Sequence, residues 1–357
     1  MRIALLLIGF GHVGRRFVHL VHEMTPTLEA LGIAPVVVGI CTRRHGTVFN
    51  EAGLDARHAA QQVAGGDAVG PASTSTSAHD AIAQLGSLNA EARIVVETTP
   101  LDVQSGQPAI GHIEMALASG AHVISANKGP VAHAWHTLAA QATAAQRQFL
   151  FEGAVMDGIP IFNLVRETMP GVTILGFRGV VNSTTNHILS AMERGEPFAP
   201  ALARMQADGI AEADPSLDVD GWDTAAKVAA LANVWMDARI TPKDVRREGI
   251  CANDATRVAD AVAAGRRMKL VGRATRRTPG AKKIDASVQL EPLEISDPLG
   301  GLDGQANALE IDTDALGRVV VTQRDGGLEK TAYALFADLM TIARAVADGS
   351  DRRSGQR

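Results

Sequence analysis

A chain of 357 residues exceeds the roughly 250–300 residues at which a single hydrophobic core stops growing, so two domains are expected. With 46% hydrophobic and 20% charged residues, 35 glycines and 15 prolines, the composition excludes disorder, a collagen-like repeat and a coiled coil. The net charge of −5 excludes a global basic field for nucleic acid or an anionic membrane, and two cysteines, Cys41 and Cys251, are too few for a disulfide framework or a Cys-rich zinc site, which suits a reducing, cytoplasmic setting.

Arg2 and the apolar stretch 3–10 copy the start of a signal peptide, but Gly11-His12-Val13-Gly14-Arg15-Arg16 follows with no small-residue cleavage site. No run reaches the roughly 20 apolar residues that span a bilayer. Residues 3–8 read instead as a strand buried on both faces. Val13, Phe17, Leu20, Val21 and Met24 then recur at helical spacing, and 35–41 supplies a second buried strand, completing a βαβ unit. From 43 to 92 the pattern is weak, with Gly65-Gly66 and Ser73-Thr74-Ser75-Thr76-Ser77 as loops between short helical segments.

Alternation resumes with a strand at 94–97, a helix carrying Ile110, Ile113 and Leu117, and a strand at 122–125. Alternating strand and helix predicts an α/β architecture, a Rossmann-type doubly wound parallel sheet over 1–150 with ligands at the carboxyl ends of its strands. After 149–151 the order changes. Pro160 opens a helix to 169, 174–181 is a strand, and 267–274, 284–290, 308–311 and 318–323 read as strands of an α+β second domain over 151–330. A final helix at 331–347 is expected to dock back on the first domain, and 348–357 reads as a frayed tail. There is no internal repeat.

Gly9-Phe10-Gly11-His12-Val13-Gly14 is a G-x-G-x-x-G between a buried strand and an amphipathic helix, the context a dinucleotide fingerprint requires. The first glycine permits the tight turn, the second the approach of a pyrophosphate, the third close helix packing. Gly9, Gly11, His12, Val13 and Gly14 are therefore cofactor residues, with a glycine-rich turn that binds nothing as the alternative. Where an NAD-preferring site ends its second strand in an acid, this chain has Cys41-Thr42-Arg43-Arg44. Arg43 and Arg44 would welcome a 2′-phosphate, so NADP(H) is preferred with NAD(H) possible; two solvated loop charges are the alternative. Thr98 and Thr99, and Asn127 and Lys128, follow two further strands and fall on the same rim.

The densest chemistry lies in 209–227, with five carboxylates and one lysine in nineteen residues. Asp220-Gly221 opens a helix on which Asp223 and Lys227 share a face at i and i+4. On an exposed helix that pair is worth only about 0.3–0.5 kcal/mol. Two more clusters raise its standing. Ser125-Ala126-Asn127-Lys128-Gly129-Pro130 follows a rim strand, and Asn182-Ser183-Thr184-Thr185-Asn186 opens a helix to Met192, with capping by Ser183 or Thr184 as its plain explanation.

These residues resemble the homoserine dehydrogenases over almost the whole chain: the glycine fingerprint, Ala126-Asn127-Lys128, Gly158-Ile159-Pro160, the 182–186 segment, 209–227 with its E-x-D-P…D-x-x-G-x-D-x-x-x-K string, and the late stretch from Asp297-Pro298-Leu299 to Thr331-Ala332. The length after the last helix matches the short form, without an added regulatory domain. The resemblance implies reversible NAD(P)H-dependent reduction of L-aspartate 4-semialdehyde to L-homoserine, toward threonine and methionine, by a homodimer. It makes Lys227 the acid/base, with Asp223 and Lys128 at the reacting centre. Glu212 and Asp218 would grip the α-ammonium, with Asn182 and Thr184 beside them. It also implies a monovalent cation, Na+ or K+, on backbone oxygens of Glu152, Val155, Asp157 and Ile159.

Two lysines in one cleft are expected to depress each other's pKa. The chain departs from the family at Met156-Asp157-Gly158, at Ser183, and at Arg324-Asp325-Gly326-Gly327-Leu328-Glu329. Asp157 could tighten the cation site or narrow substrate choice. Two other functions stay open: a related oxidoreductase acting on another small amino-acid-like carbonyl, and a dinucleotide-binding sensor without turnover. An acylating semialdehyde dehydrogenase is disfavoured, since neither cysteine sits in a nucleophile's setting.

Overall fold

The apolar run near the N-terminus forms β1 (Arg2–Ile8), the centre of the first sheet in a computed structural model that describes residues 1–70, 77–207, 211, 214–276 and 283–349. After it come α1 (His12–Glu23), α2 (Thr25–Ala30), β2 (Ala34–Cys41), β3 (Thr47–Phe49), α3 (Ala56–Gly65), α4 (Ala78–Ser87) and β4 (Ala92–Glu97). Next are α5 (Ala109–Ala118), β5 (His122–Ser125), α6 (Lys128–Ala144) and β6 (Phe149–Leu150). The sheet order is β3-β2-β1-β4-β5-β6. All neighbours are parallel except β3, which returns antiparallel on β2 with Gly39 opposite Phe49. The chain leaves β1 for β2 on one side and reaches β4 on the other, so the carboxyl ends of β1 and β4 border the crevice where ligands bind in such sheets.

β1 is apolar throughout because both its faces are covered. Leu6 and Ile8 pack with Val95, Ile113 and Leu117 on one side, and Ile3, Leu5 and Leu7 pack with Phe17, Leu335 and Leu339 on the other. The last two belong to the C-terminal helix.

The rest of the chain runs α7 (Ile161–Thr168), β7 (Ile174–Val180), α8 (Ser183–Glu193), α9 (Phe198–Ala207), α10 (Ser216–Val219) and α11 (Trp222–Met236). It continues through β8 (Arg246–Arg247), α12 (Ala255–Ala263), β9 (Arg266–Arg276), β10 (Ile284–Glu294), β11 (Asn307–Thr313) and β12 (Arg318–Gln323) to α13 (Leu328–Ala347). Its strands form a second sheet, β12-β11-β7-β9-β10-β8, antiparallel apart from the short β8–β10 pair. Ile188 and Leu189 of α8 and Val228 and Leu231 of α11 bury against Phe177, Leu270, Val288 and Leu309 of that sheet.

Two devices join the sheets. Aromatic rings step from Trp135 to Phe151 at 5.1 Å, to Phe162 at 4.8 Å, to Trp235 at 5.8 Å and to Phe177 at 5.9 Å, within the range of favourable edge and tilted contacts. In addition, α6 kinks at Ala134, and the Asn233 amide of α11 donates to the Ala132 carbonyl at 3.1 Å beside that kink.

Several boundaries differ from the sequence reading. α2, α9 and the edge strand β3 were not expected, since each is short and gains its stability from neighbours rather than from periodicity. α13 begins at Leu328 rather than 331. Gly327 offers no side-chain cap, but the distant Asp157 carboxylate accepts from the Gly327 N–H at 2.9 Å and the Thr331 hydroxyl at 3.2 Å, and so supplies one. Most of the expected serine/threonine loop at 73–77 lies outside the described residues, while Ser77 forms a capping box with Asp80 at the start of α4. Among the described residues no helix is long and apolar enough to cross a membrane.

Candidate active site

The glycine turn sits where β1 enters the crevice. Gly9 has φ +88°, and a Cβ there would stand 2.6 Å from the Thr98 main chain, so only glycine fits. The Thr98 hydroxyl donates to the Gly9 carbonyl at 2.9 Å and ties the β4 end to the turn. Gly11 differs: a Cβ there would meet nothing within 4 Å, so packing does not demand glycine, whereas a ligand approaching the backbone would. His12 and Val13 open α1, whose first turn has neither an acid nor a side-chain cap, leaving its N–H groups for an anion. Arg43 and Arg44 lie exposed in the β2–β3 turn and pair with no other described residue. At the end of β5, Asn127 caps α6: its Oδ1 accepts from the Gly129 N–H at 2.9 Å and its Nδ2 donates to the Thr99 carbonyl at 3.1 Å.

That cap places Lys128, the first residue of α6, against α11. Lys128 Nζ lies 3.0 Å from Asp223 Oδ1, and Lys227 Nζ lies 2.9 Å from Asp223 Oδ2. Lys227 also donates to the Val181 carbonyl at 2.6 Å, where β7 runs out. Asn182 donates from one amide nitrogen to Asp218 Oδ1 at 2.6 Å and to Asp223 Oδ2 at 3.0 Å, while its Oδ1 caps α8 through the Thr185 N–H at 2.8 Å. The Thr184 hydroxyl lies near Asp218 and favours its charged form. Two acids, two lysines and an asparagine from α6, α8, α10 and α11 thus form one network. The α8 cap is Asn182, not Ser183 or Thr184, because its amide reaches both the helix and the acids.

The charges differ from the sequence expectation. Burial lowers the proton affinity of Lys227, but Asp223 beside it outweighs burial, with Asp157 and Asp218 adding to the effect, and its pKa is raised. The expected mutual depression of the two lysines does not occur for Lys227, because Asp223 lies between them. Asp223 is penalised by burial yet held well below the usual carboxylate range by Lys128 and Lys227. Asp218, half-buried and next to Asp223, is pushed up by desolvation and by that neighbouring carboxylate. The site therefore holds a lysine ammonium, and such a group can give a proton to an oxygen that gains negative charge.

Glu212 lies outside the described residues. The carboxylates at 152–159 have partners of their own, whereas the cation was expected on backbone oxygens. Glu152 accepts from the N–H groups of Phe162 and Asn163, both at 2.8 Å, at the start of α7, and Asp157 caps α13. The Ile159 carbonyl already accepts from Ile161 at 2.8 Å. No group of three or more His, Cys, Asp or Glu residues suited to a metal occurs among the described residues. The sequence reading missed the Val181 carbonyl, which no side-chain pattern could reveal. It also missed the double role of Asn182, signalled only by that residue's preference for helix N-caps.

Two family models match the chain: homoserine dehydrogenase over residues 160–340, and the homoserine dehydrogenase NAD binding domain over residues 9–152. An NAD(+)-dependent homoserine dehydrogenase of Pseudomonas canavaninivorans is 36% identical over 341 residues, spanning 95% of each chain. A homoserine dehydrogenase structure from Thiobacillus denitrificans is similar with a TM-score of 0.81 and 29% identity, covering 99% of this chain and 76% of that one. A hyperthermophilic archaeal homoserine dehydrogenase in complex with NADPH is similar with a TM-score of 0.78 and 28% identity, covering 96% of this chain and 98% of that one.

Proposed function

The chain belongs to the homoserine dehydrogenase family, and from that premise we propose how its own residues divide the work. The reaction is the reversible NAD(P)H-dependent reduction of L-aspartate 4-semialdehyde to L-homoserine, on the way to threonine and methionine. One observation carries the assignment: Asp223 is shared by Lys128 at 3.0 Å and Lys227 at 2.9 Å.

Lys227 gives its proton to the aldehyde oxygen as hydride arrives at the carbon, and takes one from the alcohol in reverse. Asp223 keeps Lys227 protonated, while Lys128 supplies a second positive charge to the developing alkoxide. Asp218, with Glu212 from the same segment, takes the α-ammonium, and Asn182 and Thr184 hold Asp218 in place. The dinucleotide supplies or accepts the hydride. Gly9, Gly11, His12, Val13 and Gly14 would hold its pyrophosphate, and Thr98, Thr99 and Asn127 the rim near its reactive end.

NADP(H) is the proposed preference, supported by the exposed guanidiniums of Arg43 and Arg44, which pair with no other described residue, and by the lack of an acid at the end of β2. Any monovalent cation in the 152–159 turn would rest on carbonyl oxygens, since both carboxylates there are committed. A homodimer through the second sheet is supported by its open edge at β12, where Val320 is exposed, and sedimentation of the purified protein tests it. Two free cysteines suit a cytoplasmic setting. The deciding experiment is a steady-state assay with purified protein. NADPH-dependent reduction of aspartate semialdehyde that is lost in Lys227→Ala supports the assignment; equal activity in the variant ends it.

A further inference from the structure

Glu97, the last residue of β4, is fully buried, yet the proton transfer proposed above makes no use of it. A buried carboxylate persists only when its oxygens are hydrogen-bonded, and one oxygen of Glu97 leads to the active-site rim while the other is held by a helix behind it. Its Oε1 accepts from the Thr99 N–H at 2.8 Å and from the Thr99 hydroxyl. Its Oε2 faces His112 Nδ1 of α5 at 2.9 Å, and His112 is itself buried. Against a carboxylate that ring nitrogen carries the proton, and the His79 and His112 rings are nearly perpendicular with centroids 6.3 Å apart.

From Thr99 the network divides. Its carbonyl and hydroxyl receive Asn127 Nδ2 at 3.1 and 3.3 Å, and Asn127 caps the helix that begins with Lys128. Through the adjacent Thr98, whose hydroxyl holds the Gly9 carbonyl at 2.9 Å, the same loop closes over the glycine turn. Ser125 completes the knot, its hydroxyl donating to the Glu97 carbonyl at 3.3 Å and accepting the Asn127 N–H at 3.0 Å.

We propose that the buried Glu97–His112 pair is the positioning unit that couples the dinucleotide cradle to Lys128, so that one hydrogen bond from α5 sets both cofactor affinity and the place of the lysine. The proposal rests on the functional reading above. Without the imidazole N–H, one oxygen of Glu97 is buried without a partner. The carboxylate then turns to find another partner, and that turn releases Thr99, which holds both branches.

The test compares His112→Phe, which keeps bulk and removes the donor, with His112→Asn, whose amide nitrogen occupies the place of Nδ1. NADPH binding is read directly by nucleotide fluorescence, and turnover is read separately. His112→Phe is expected to weaken NADPH binding on the order of tenfold and to lower kcat as well, with His112→Asn restoring both to within about twofold of wild type. Should His112→Phe fail to fold, His112→Ala is read in the same way. Amide exchange in the wild-type protein gives a further measurement, with the Thr99 N–H expected to be protected like the core of β4 and rapid exchange there overturning the proposal. A folded His112→Phe protein with unchanged NADPH affinity and kcat, only less stable to heat, also overturns it. So does equal impairment in the Phe and Asn variants, which would assign the effect to ring packing. Wild-type protein that binds no dinucleotide overturns the functional reading and the proposal together; normal wild-type binding with an indifferent His112→Phe overturns the proposal alone.

Discussion

Asp223 and Lys227 stand one turn apart on α11 and form a 2.9 Å ion pair with only 13% and 14% of their side chains exposed. The same spacing on a solvated helix would be worth a few tenths of a kcal/mol and would do no chemistry. Here the Val181 carbonyl takes one further N–H of Lys227 and the Asn182 amide bonds Asp223, so the pair is shielded and held in place while the ammonium keeps a third N–H for a substrate oxygen.

Lys227→Ala is expected to lower kcat for semialdehyde reduction by about 10²- to 10⁴-fold, the usual contribution of a positioned acid, while NADPH binding stays within about twofold. Stopped-flow single turnovers beside a nucleotide titration separate the two effects. A loss confined to KM would remove Lys227 from the proton transfer.

The raised pKa of Lys227 sets the pH dependence. Protonated at neutral pH, it supports reduction until the pH climbs through that raised value, whereas oxidation of homoserine gains as the proton leaves. In Asp223→Asn burial is no longer outweighed by the adjacent carboxylate, so the alkaline limb of the reduction profile moves to lower pH. A limb that stays in place would mean that another group controls it.

Arg43→Asp puts a carboxylate where a 2′-phosphate would sit and where a ribose 2′-hydroxyl could bond. The ratio of kcat/KM for NADPH over NADH is expected to fall by at least about tenfold, mostly through KM for NADPH. An unchanged ratio, in this variant and in Arg44→Asp, would leave both arginines as solvated loop charges.

Lys269 offers a test on stability alone. It is fully buried on β9, with Asn186 Oδ1 at 3.1 Å and Glu193 at 3.7 Å, and burial pulls its pKa down to about 8. Between about 8 and the ordinary lysine value the unfolded chain binds more protons than the folded one, so this group's contribution to stability rises with pH across that window. Urea unfolding of wild type and Lys269→Met, compared from pH 7.5 to 10, is expected to show the wild type gaining on the variant by up to about 1.4 kcal/mol per pH unit. A difference independent of pH would mean that Lys269 titrates normally.

What could be read along the chain was whatever is local. The strand, glycine turn and helix at 3–24 are legible because their residues are neighbours and their periods differ. The Asp223–Lys227 spacing is legible because a helix fixes which residues share a face. The start of α13 was misplaced because its cap, Asp157, comes from 170 residues away. The electrostatics of Lys227 were read with the wrong sign for a related reason: two lysines in one cleft repel unless a carboxylate lies between them, and only the packing of α6 on α11 puts Asp223 there.

The amino-acid sequence by itself determined the two-part architecture, the glycine turn after β1 and the residue types of the lysine–carboxylate cluster, since backbone geometry and hydrophobic period act over a few residues. Tertiary structure alone decided which of those residues meet, how far each is removed from water, and therefore what charge each carries. Desolvation and Coulomb energy depend on distance through space, and the distances that matter here join residue 97 to 112, 128 to 223 and 181 to 227.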